Sequence, residues 1–161
     1  MAKLILIIGG NIGNRQRNFA AARKNIEKKT GKILRISALY ETAAWGNTHQ
    51  PDFLNQVLVV ETKKTAIEVM KQILSIEKDM GRKRHKIKNA PRLIDIDILF
   101  YDKEIYNQPE LAVPHPQIQN RRFVLIPLNE LMPQFKHPVL NKTINQLLLN
   151  CKDKLEVKKL Y

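Results

Sequence analysis

The sequence predicts an α+β fold with the element order β-α-β-β-α-β, extended at the C-terminus by a hairpin and helices. Three observations predict it: apolar runs of strand length, two helical segments with recognisable ends, and the order in which they occur. At 161 residues, the chain is long enough for one domain that buries about 70% of its unfolded surface. We therefore expect residues 1–161 to form a single domain.

The first part of the chain predicts three strands and a helix. Residues 3–8 are apolar and end at a glycine pair, as a buried strand does. Residues 14–29 carry apolar side chains at helical spacing and are followed by Gly31, which predicts a helix and its stop. Residues 32–42 alternate in polarity and residues 53–62 are rich in β-branched side chains, so both are expected to be strands.

The second helix has stronger end signals. Thr65 and Glu68 have the spacing of a capping box, and Gly81 follows the last helical residue. Glu77 falls near the middle of the apolar stripe of this helix. If Glu77 has only a structural role, its side chain is expected to extend to water near the end of the helix.

The stretch PRLIDIDILFYD, residues 91–102, predicts the fourth core strand and places two acids inside it. Because strand side chains alternate, Asp95 and Asp97 should project from the same face. The residues expected on the opposite, core-facing side are Ile94, Ile96, Ile98 and Phe100.

The predicted order is that of a ferredoxin-like sheet with both helices on one face. Residues 103–106 are expected to form a return strand, and residues 123–131 an apolar segment. A final helix should begin at Thr143, where Thr and Gln repeat the capping-box spacing. The second face of the sheet is then available for function or for the C-terminal third.

Composition limits the classes of partner. The formal charge of +13 suggests an anionic partner, which the charge alone leaves open as nucleic acid, an anionic membrane or a phosphorylated small molecule. A solvated, lysine-rich surface is the alternative interpretation and explains most of the excess. Residues 4–8 are too short an apolar run to span a bilayer. Cys151 is the single cysteine, which excludes disulfides and fits a reducing, cytoplasmic location.

Asp95 and Asp97 are candidate ligands for Mg²⁺, which prefers oxygen donors and often takes one or two carboxylates plus substrate phosphates. The same pattern also occurs in edge strands with two solvated acids. The basic segment at residues 81–91 precedes them and could close over a polyphosphate. A solvated basic loop is its alternative interpretation.

Other residues are candidates for substrate contacts. His115 lies between two prolines, a rigid setting suited to a phosphate contact, although an exposed turn histidine would look the same. Phe53 and Phe123 could enclose a flat heterocycle whose edge Asn55 reads, or could simply be core residues. The opening loop lacks the nucleotide-binding glycine patterns, so it predicts a tight turn in which Asn11 could contact substrate.

Six segments, taken in order, resemble the 6-hydroxymethyl-7,8-dihydropterin pyrophosphokinase family. They extend over residues 9–128 and read GGNIGN, YETAAWG, QPDFLNQV, IEKDMGRKR, APRLIDIDILFYD and VPHPQIQNRRFVLIPL. The resemblance implies a folate-pathway enzyme that transfers pyrophosphate from ATP to the pterin alcohol, giving AMP and the pterin diphosphate.

The resemblance also implies roles for particular residues. Asp95 and Asp97 would bind two Mg²⁺ ions, with ATP as co-substrate. The residues implied in ATP binding are Glu77, Arg82, Arg84, Arg92, Ile98, His115 and Arg121. Those implied in pterin binding are Thr42, Ala43, Trp45, Phe53, Asn55, Asp95 and Phe123. Those implied in catalysis are Arg82, Arg92, Asp95 and Asp97. The expected partners are these two small molecules, without nucleic acid or membrane, and the chain is expected to be a monomer.

The sequence departs from the family pattern at three places, one of which is Gly10, where the family commonly has a serine. Lys88-Asn89-Ala90 stands where the family usually has Arg-Trp-Gly, and Ala43-Ala44 stands where it has two prolines. We therefore expect looser closure of the basic loop.

Two rival interpretations stay open. An RNA-binding ferredoxin-like domain fits the charge but requires aromatic residues among basic ones on the central strands. A two-metal nucleotidyl transferase fits the paired aspartates but releases pyrophosphate, where a pyrophosphokinase releases AMP.

Overall fold

The structure is a computed structural model that describes residues 1–43, 50–81 and 93–160. Its elements, in chain order, are β1 Ala2–Gly10, α1 Arg15–Lys29, β2 Lys32–Ile36, β3 Tyr40–Thr42, β4 Phe53–Thr62, α2 Ala66–Asp79, β5 Asp95–Tyr101, β6 Tyr106–Gln108, β7 Leu111–Val113, a 3₁₀ helix Ile118–Asn120, α3 Arg122–Leu131, α4 Ile144–Leu149 and β8 Lys158–Lys159. The main sheet has the order β5-β1-β4-β3-β8, β2 also pairs with β4, and every pairing in it is antiparallel.

The predicted helix ends are confirmed for α1 and α2. The Asn14 side chain accepts a hydrogen bond from the backbone N–H of Arg17, which caps α1. Thr65 and Glu68 form the expected reciprocal capping box at the start of α2. Gly81 follows with φ of +84°, a backbone conformation that glycine adopts without strain.

Both helices pack on the same face of the sheet, as predicted, and form the helix-side core. Its principal members are Leu4, Leu6, Ile8, Phe19, Ala22, Ile26, Leu54, Leu58, Val60, Ala66, Val69, Ile73, Ile76, Ile94, Ile96 and Ile98. Leu74 of α2 lies outside this core and is 42% exposed.

The C-terminal third covers part of the opposite face and forms the cleft-side core. Its principal members are Ile5, Ile7, Val57, Val59, Leu99, Phe100, Ile118, Val124, Leu125, Leu128, Leu131, Ile144 and Leu147. The final helix begins after Thr143 with the predicted capping box. No helix in the described part of the chain is long and apolar enough to cross a bilayer.

A β-bulge in β5 corrects one prediction. Phe100 and Ile98 pair with consecutive residues of β1, so Leu99 is an extra residue in β5. Ile94, Ile96 and Ile98 face the helix-side core as expected. The predicted placement of Phe100 with them is wrong, because the bulge turns it to the other face. There its ring centroid lies 4.8 Å from that of Phe135.

The single strand predicted over residues 32–42 is divided into β2 and β3. Ile36 and Tyr40 are four residues apart, whereas their partners on β4 are three apart, so the chain carries one extra residue between them. Ser37 accommodates the interruption: its backbone N–H donates to the Val57 carbonyl, and its hydroxyl oxygen accepts from the Val57 N–H, both at 2.9 Å.

The predicted return strand is also displaced. Residues 103–105 are not in a strand; β6 begins at Tyr106 and pairs with β7 in a separate two-stranded sheet. Asp102 fixes the preceding turn against the start of β1, where its side chain accepts from the Lys3 N–H and its own N–H donates to the Lys3 carbonyl. These bonds join Asp102 to β1, so the turn after β5 extends beyond it and the hairpin starts at Tyr106, later than the sequence pattern indicates.

The close approach of β4 to the end of α1 makes Gly31 a sensitive position. A Cβ at Gly31 would overlap the carbonyl oxygen of Glu61. We expect Gly31→Ala to lower the free energy of unfolding by about 1–3 kcal/mol, because the backbone must shift. Urea denaturation measures this. Lys24→Ala, at an exposed helix position, is the control and should change stability by less than about 0.5 kcal/mol; equal stabilities for the two variants would contradict the prediction.

Candidate active site

A cleft of about 520 Å³ lies on the sheet face opposite α1 and α2. The strands β1, β4 and β5 form its floor, while α3 and the segment after α4 form a wall. The described residues that line it are Ile7, Gly9, Thr42, Ala43, Phe53, Asn55, Asp95, Asp97, Leu99, His115, Gln117, Asn120, Arg121, Phe123, Val124, Asp153 and Leu155.

Gly9 lies at the centre of the floor and pairs with a polar residue on each side. Its partner on β4 is Asn55, and its partner on β5 is Asp95. Because neighbouring strands are about 4.8 Å apart, these two residues lie about 10 Å from each other across the glycine. An ideal Cβ on Gly9 would be 2.7 Å from Asn55 Oδ1. The Asn55 carboxamide can therefore occupy this position only because Gly9 has no side chain.

Asp95 and Asp97 share one face of β5, as predicted, and both line the cleft while half-buried. Within residues 1–43, 50–81 and 93–160, no group of three or more His, Cys, Asp or Glu side chains could hold a metal ion by itself. Two neighbouring carboxylates do fit Mg²⁺, since this ion commonly takes one or two protein carboxylates and completes its octahedron with water and phosphate oxygens.

Two hydrogen bonds, one from the backbone and one to the ring, fix His115 beside the carboxylates. The backbone N–H of His115 donates to the Leu99 carbonyl at 3.0 Å, and the ring Nδ1 accepts from the Gln117 backbone N–H at 3.1 Å. The neutral ring therefore carries its proton on Nε2. Burial lowers the pKa of His115, nearby Arg121 lowers it further, and Asp95 acts in the opposite direction.

An aromatic pair lies at the other end of the cleft. Phe53 begins β4, where it pairs with Thr42, and Phe123 lies in the first turn of α3. The Arg121 guanidinium carbon lies 5.9 Å from the centroid of the Phe123 ring, a distance typical of a cation–π contact. One end of the cleft thus presents aromatic rings and an amide, the other presents carboxylates and an imidazole, and the Arg121 guanidinium lies close to both Phe123 and His115.

The structure brings together most of the predicted site residues that it describes. Those lining the cleft are Thr42, Ala43, Phe53, Asn55, Asp95, Asp97, His115, Arg121 and Phe123. The predicted contributions of Arg82, Arg84, Arg92 and Trp45, and the replacement at residues 88–90, fall outside the described residues.

Two predicted ATP contacts lie away from the cleft lining. The interpretation of Glu77 as a side chain that reaches water is wrong: it is 3% exposed and its Oε2 accepts from the Ile96 N–H at 2.9 Å. This bond joins α2 to β5 beside the two aspartates. The Ile98 side chain is also 3% exposed and belongs to the helix-side core. For both residues, a contact with ATP stays a prediction.

Several residues of the cleft were not found from the sequence. Gln117 and Asn120 line it and lie within the family segment at residues 113–128, but that resemblance gave them no role. Asp153 and Leu155 also line it and belong to no motif that predicts chemistry. Asn11, a candidate substrate contact, instead donates from Nδ2 to the Gln50 side chain at 2.9 Å and to the carbonyl of residue 51 at 3.0 Å, which anchors the segment that leads into Phe53.

The fold and the cleft define a class of protein. Paired carboxylates with a nearby cation suit a metal-bound phosphate chain, and an aromatic pair with an amide suits a flat polar ring. These are features of a small-molecule phosphotransferase.

The sequence identifies the family within that class. Residues 5–133 match the family described as 7,8-dihydro-6-hydroxymethylpterin-pyrophosphokinase (HPPK). The chain belongs to this family of ATP-dependent diphosphotransferases, which transfer a pyrophosphoryl group to hydroxymethyldihydropterin in folate biosynthesis.

Individual relatives agree with this assignment. The chain is 38% identical to the 2-amino-4-hydroxy-6-hydroxymethyldihydropteridine pyrophosphokinase of Aquifex aeolicus, over 91% of this chain and 90% of that protein. It is 42% identical to a mitochondrial folate synthesis bifunctional protein of Pisum sativum, over 81% of this chain but only 25% of that protein. The crystal structure of Plasmodium falciparum HPPK-DHPS wild type with SDX-DHP shares the fold, with a TM-score of 0.73 and 21% identity over 92% of this chain and 43% of that one.

The close approach of Gly9 and Asn55 generates a prediction about the aromatic end of the cleft. We expect Gly9→Ala to raise the dissociation constant for the dihydropterin by about tenfold or more, because the new Cβ must displace the Asn55 carboxamide. The affinity for an ATP analogue should change by less than about twofold, since Asn55 lies at the other end. Calorimetric titration with each ligand measures both values. An unchanged pterin affinity would show that the carboxamide can shift freely.

The environment of His115 generates a prediction about pH. Its pKa in the folded chain lies below the ordinary 6.5, so the unfolded chain binds this proton more readily. The contribution of His115 to stability is then present above about pH 6.5 and is lost as the pH falls below that value. Histidine NMR titration should show a midpoint below 6.5; a midpoint at or above it contradicts the prediction. Because glutamine does not titrate, the Tm of the His115→Gln variant should fall less than the Tm of the native chain between about pH 7 and pH 5.

Proposed function

We propose that the cleft holds ATP and 6-hydroxymethyl-7,8-dihydropterin side by side for the reaction of the family. The single observation that carries this proposal is the pairing of Gly9 with both Asn55 and Asp95. It places an amide suited to the edge of a pterin next to a carboxylate suited to a phosphate-bound metal. The hydroxymethyl group of a pterin bound over Gly9 would then point towards β5.

The aromatic end is proposed to bind the pterin. Phe53 and Phe123 would stack on its two faces, and the buried Asn55 amide would pair with its polar edge. Thr42 and Ala43 lie beside Phe53 at the end of β3 and would supply backbone groups to the same edge.

The charged end is proposed to bind the triphosphate. Asp95 and Asp97 would hold Mg²⁺, for which we propose two ions, and the metal supplies neutralisation of phosphate charge when bound. Arg121 would contact phosphate oxygens directly, and His115 would donate from Nε2. Contacts of Arg82, Arg84 and Arg92 with the triphosphate stay predictions from the sequence.

The residues of the cleft act by positioning and by charge. The pterin hydroxymethyl oxygen attacks the β-phosphorus of ATP, the bond from this phosphorus to the α-phosphate oxygen breaks, and AMP leaves. The hydroxymethyl proton passes to solvent water as the new oxygen–phosphorus bond forms, and the electron pair of the broken bond stays on the AMP phosphate oxygen. Stacking of the ring holds the attacking oxygen in line, while Arg121 and His115 stabilise the charge that spreads over the phosphate oxygens.

We further propose that residues 1–161 act as one ferredoxin-like, monomeric unit. The sheet order β5-β1-β4-β3 and the packing of α1 and α2 on one face support the fold type. The pairing of β8 with β3, and the bond from the Leu160 N–H to the Leu39 carbonyl, join the chain end to the core. A cytoplasmic location stays a prediction. So does the absence of nucleic-acid binding, which the two acids on the cleft floor support.

The experiment that tests this function measures AMP from ATP, Mg²⁺ and the dihydropterin. We expect pterin-dependent AMP from the native chain. Asp97→Asn should lower kcat by about 100-fold or more, because it removes a charge that acts on the transferring group. Its affinity for the pterin should change by less than about threefold, since Asp97 lies beyond Asp95 from the aromatic end.

The control for this variant is Asp102→Asn, which removes a carboxylate just after the same strand but outside the cleft. It should keep kcat within about threefold of the native value. Release of ADP or pyrophosphate, or no AMP from folded native protein, would contradict the proposed function. A loss confined to pterin binding in Asp97→Asn would contradict the proposed metal role.

A further inference from the structure

The start of α3 is capped by a residue far along the chain. Arg121, at the N-cap position, makes no side-chain capping hydrogen bond. Asp153 supplies one instead: its Oδ2 accepts from the Arg122 N–H at 3.0 Å, 31 residues away in sequence. Its second oxygen, Oδ1, accepts from the Leu155 N–H, also at 3.0 Å. One carboxylate therefore joins the first turn of α3 to the segment after α4.

This bonded pair of segments forms part of the cleft wall. Asp153 and Leu155 both line the cleft, together with Arg121 and Phe123 on either side of the capped Arg122. After Leu155 the chain continues to β8, which pairs with β3. The segment that holds α3 is thus itself attached to the sheet, at the strand that ends with Thr42.

We propose that Asp153 is a positioning residue for the pterin site, a role that rests on the proposed function. Its carboxylate holds the Arg122 N–H and with it the adjoining Phe123, so that this ring lies at the correct distance from Phe53 for a flat ring to fit between them. A carboxylate suits this position because a helix N-terminus presents partly positive N–H groups. Because this bond is made within the protein, it lowers the conformational entropy that would otherwise be lost in ordering Phe123 on pterin binding.

Asp153→Ala tests the proposal. Without the carboxylate, the Arg122 N–H loses its partner and the first turn of α3 can move, so we expect the dissociation constant for the dihydropterin to rise by about tenfold. Asp153→Asn keeps one carbonyl oxygen and should lie between the native chain and the alanine variant. It also serves as the test variant if Asp153→Ala does not fold. Calorimetric titration in the absence of nucleotide measures these affinities.

A matched control separates positioning from stability. Thr143 caps α4 with a bond of the same kind, from the Gln146 N–H to its side-chain oxygen at 3.2 Å, but it does not line the cleft. Thr143→Ala should destabilise the fold while changing the pterin dissociation constant by less than about twofold. A rise in this control equal to that in Asp153→Ala would overturn the proposal, because it would show a general effect of lower stability.

A double-mutant cycle shows whether Asp153 acts through Phe123. In a Phe123→Ala background, adding Asp153→Ala should raise the pterin dissociation constant by less than about twofold, because the ring to be positioned is gone. Additive effects would overturn the proposal. If the native chain itself binds no dihydropterin and forms no pterin-dependent AMP, the proposed function fails and the role of Asp153 fails with it. Native binding with no change in Asp153→Ala overturns the positioning role alone.

Discussion

The pairing of Gly9 with two strands at once is the constraint on which the site depends. In a sheet, residues that face each other across neighbouring strands point to the same side, so Asn55, Gly9 and Asp95 form one row across the cleft floor. A larger residue in the middle of this row would force the Asn55 side chain aside. The row therefore sets both the distance between an amide and a carboxylate and the open space above them.

The wall of the cleft that α3 forms depends on contacts between residues that are distant in sequence. At one end of α3, the Glu130 carboxylate accepts from the Tyr40 hydroxyl at 2.6 Å and from the Ala38 N–H. Burial, and this bond to Glu130, raise the pKa of the Tyr40 hydroxyl well above its usual value, so the phenol remains a donor at neutral pH. Asp153 holds the other end. The helix that carries Phe123 is thus fixed to the sheet at both ends.

Local patterns were sufficient to predict the helix ends, the core face of most of β5 and the shared face of Asp95 and Asp97. Capping boxes, glycine stops and strand alternation each involve only a few neighbouring residues, so they can be recognised from a single sequence. The placement of Phe100 was not predictable in this way. A bulge depends on the register between two strands, and a single extra residue changes the face of everything that follows.

The same distinction applies to the site. The paired aspartates and the two phenylalanines carried a local or family signal, whereas Asp153 lies in a segment with no motif and acquires its role from a bond across 31 residues. Glu77 is intermediate: its position in an apolar stripe marked it as unusual. Only the structure shows that its carboxylate receives the Ile96 N–H. A charge inside an apolar pattern indicates a partner, but the sequence alone does not identify it.

A crystal structure of the chain with Mg²⁺, the dihydropterin and a non-transferable ATP analogue tests the central claim most directly. The account predicts the pterin between Phe53 and Phe123 with its edge on Asn55, the metal on Asp95 and Asp97, and the β-phosphorus facing the hydroxymethyl oxygen above Gly9. A pterin bound elsewhere, or a metal held without either aspartate, would contradict it.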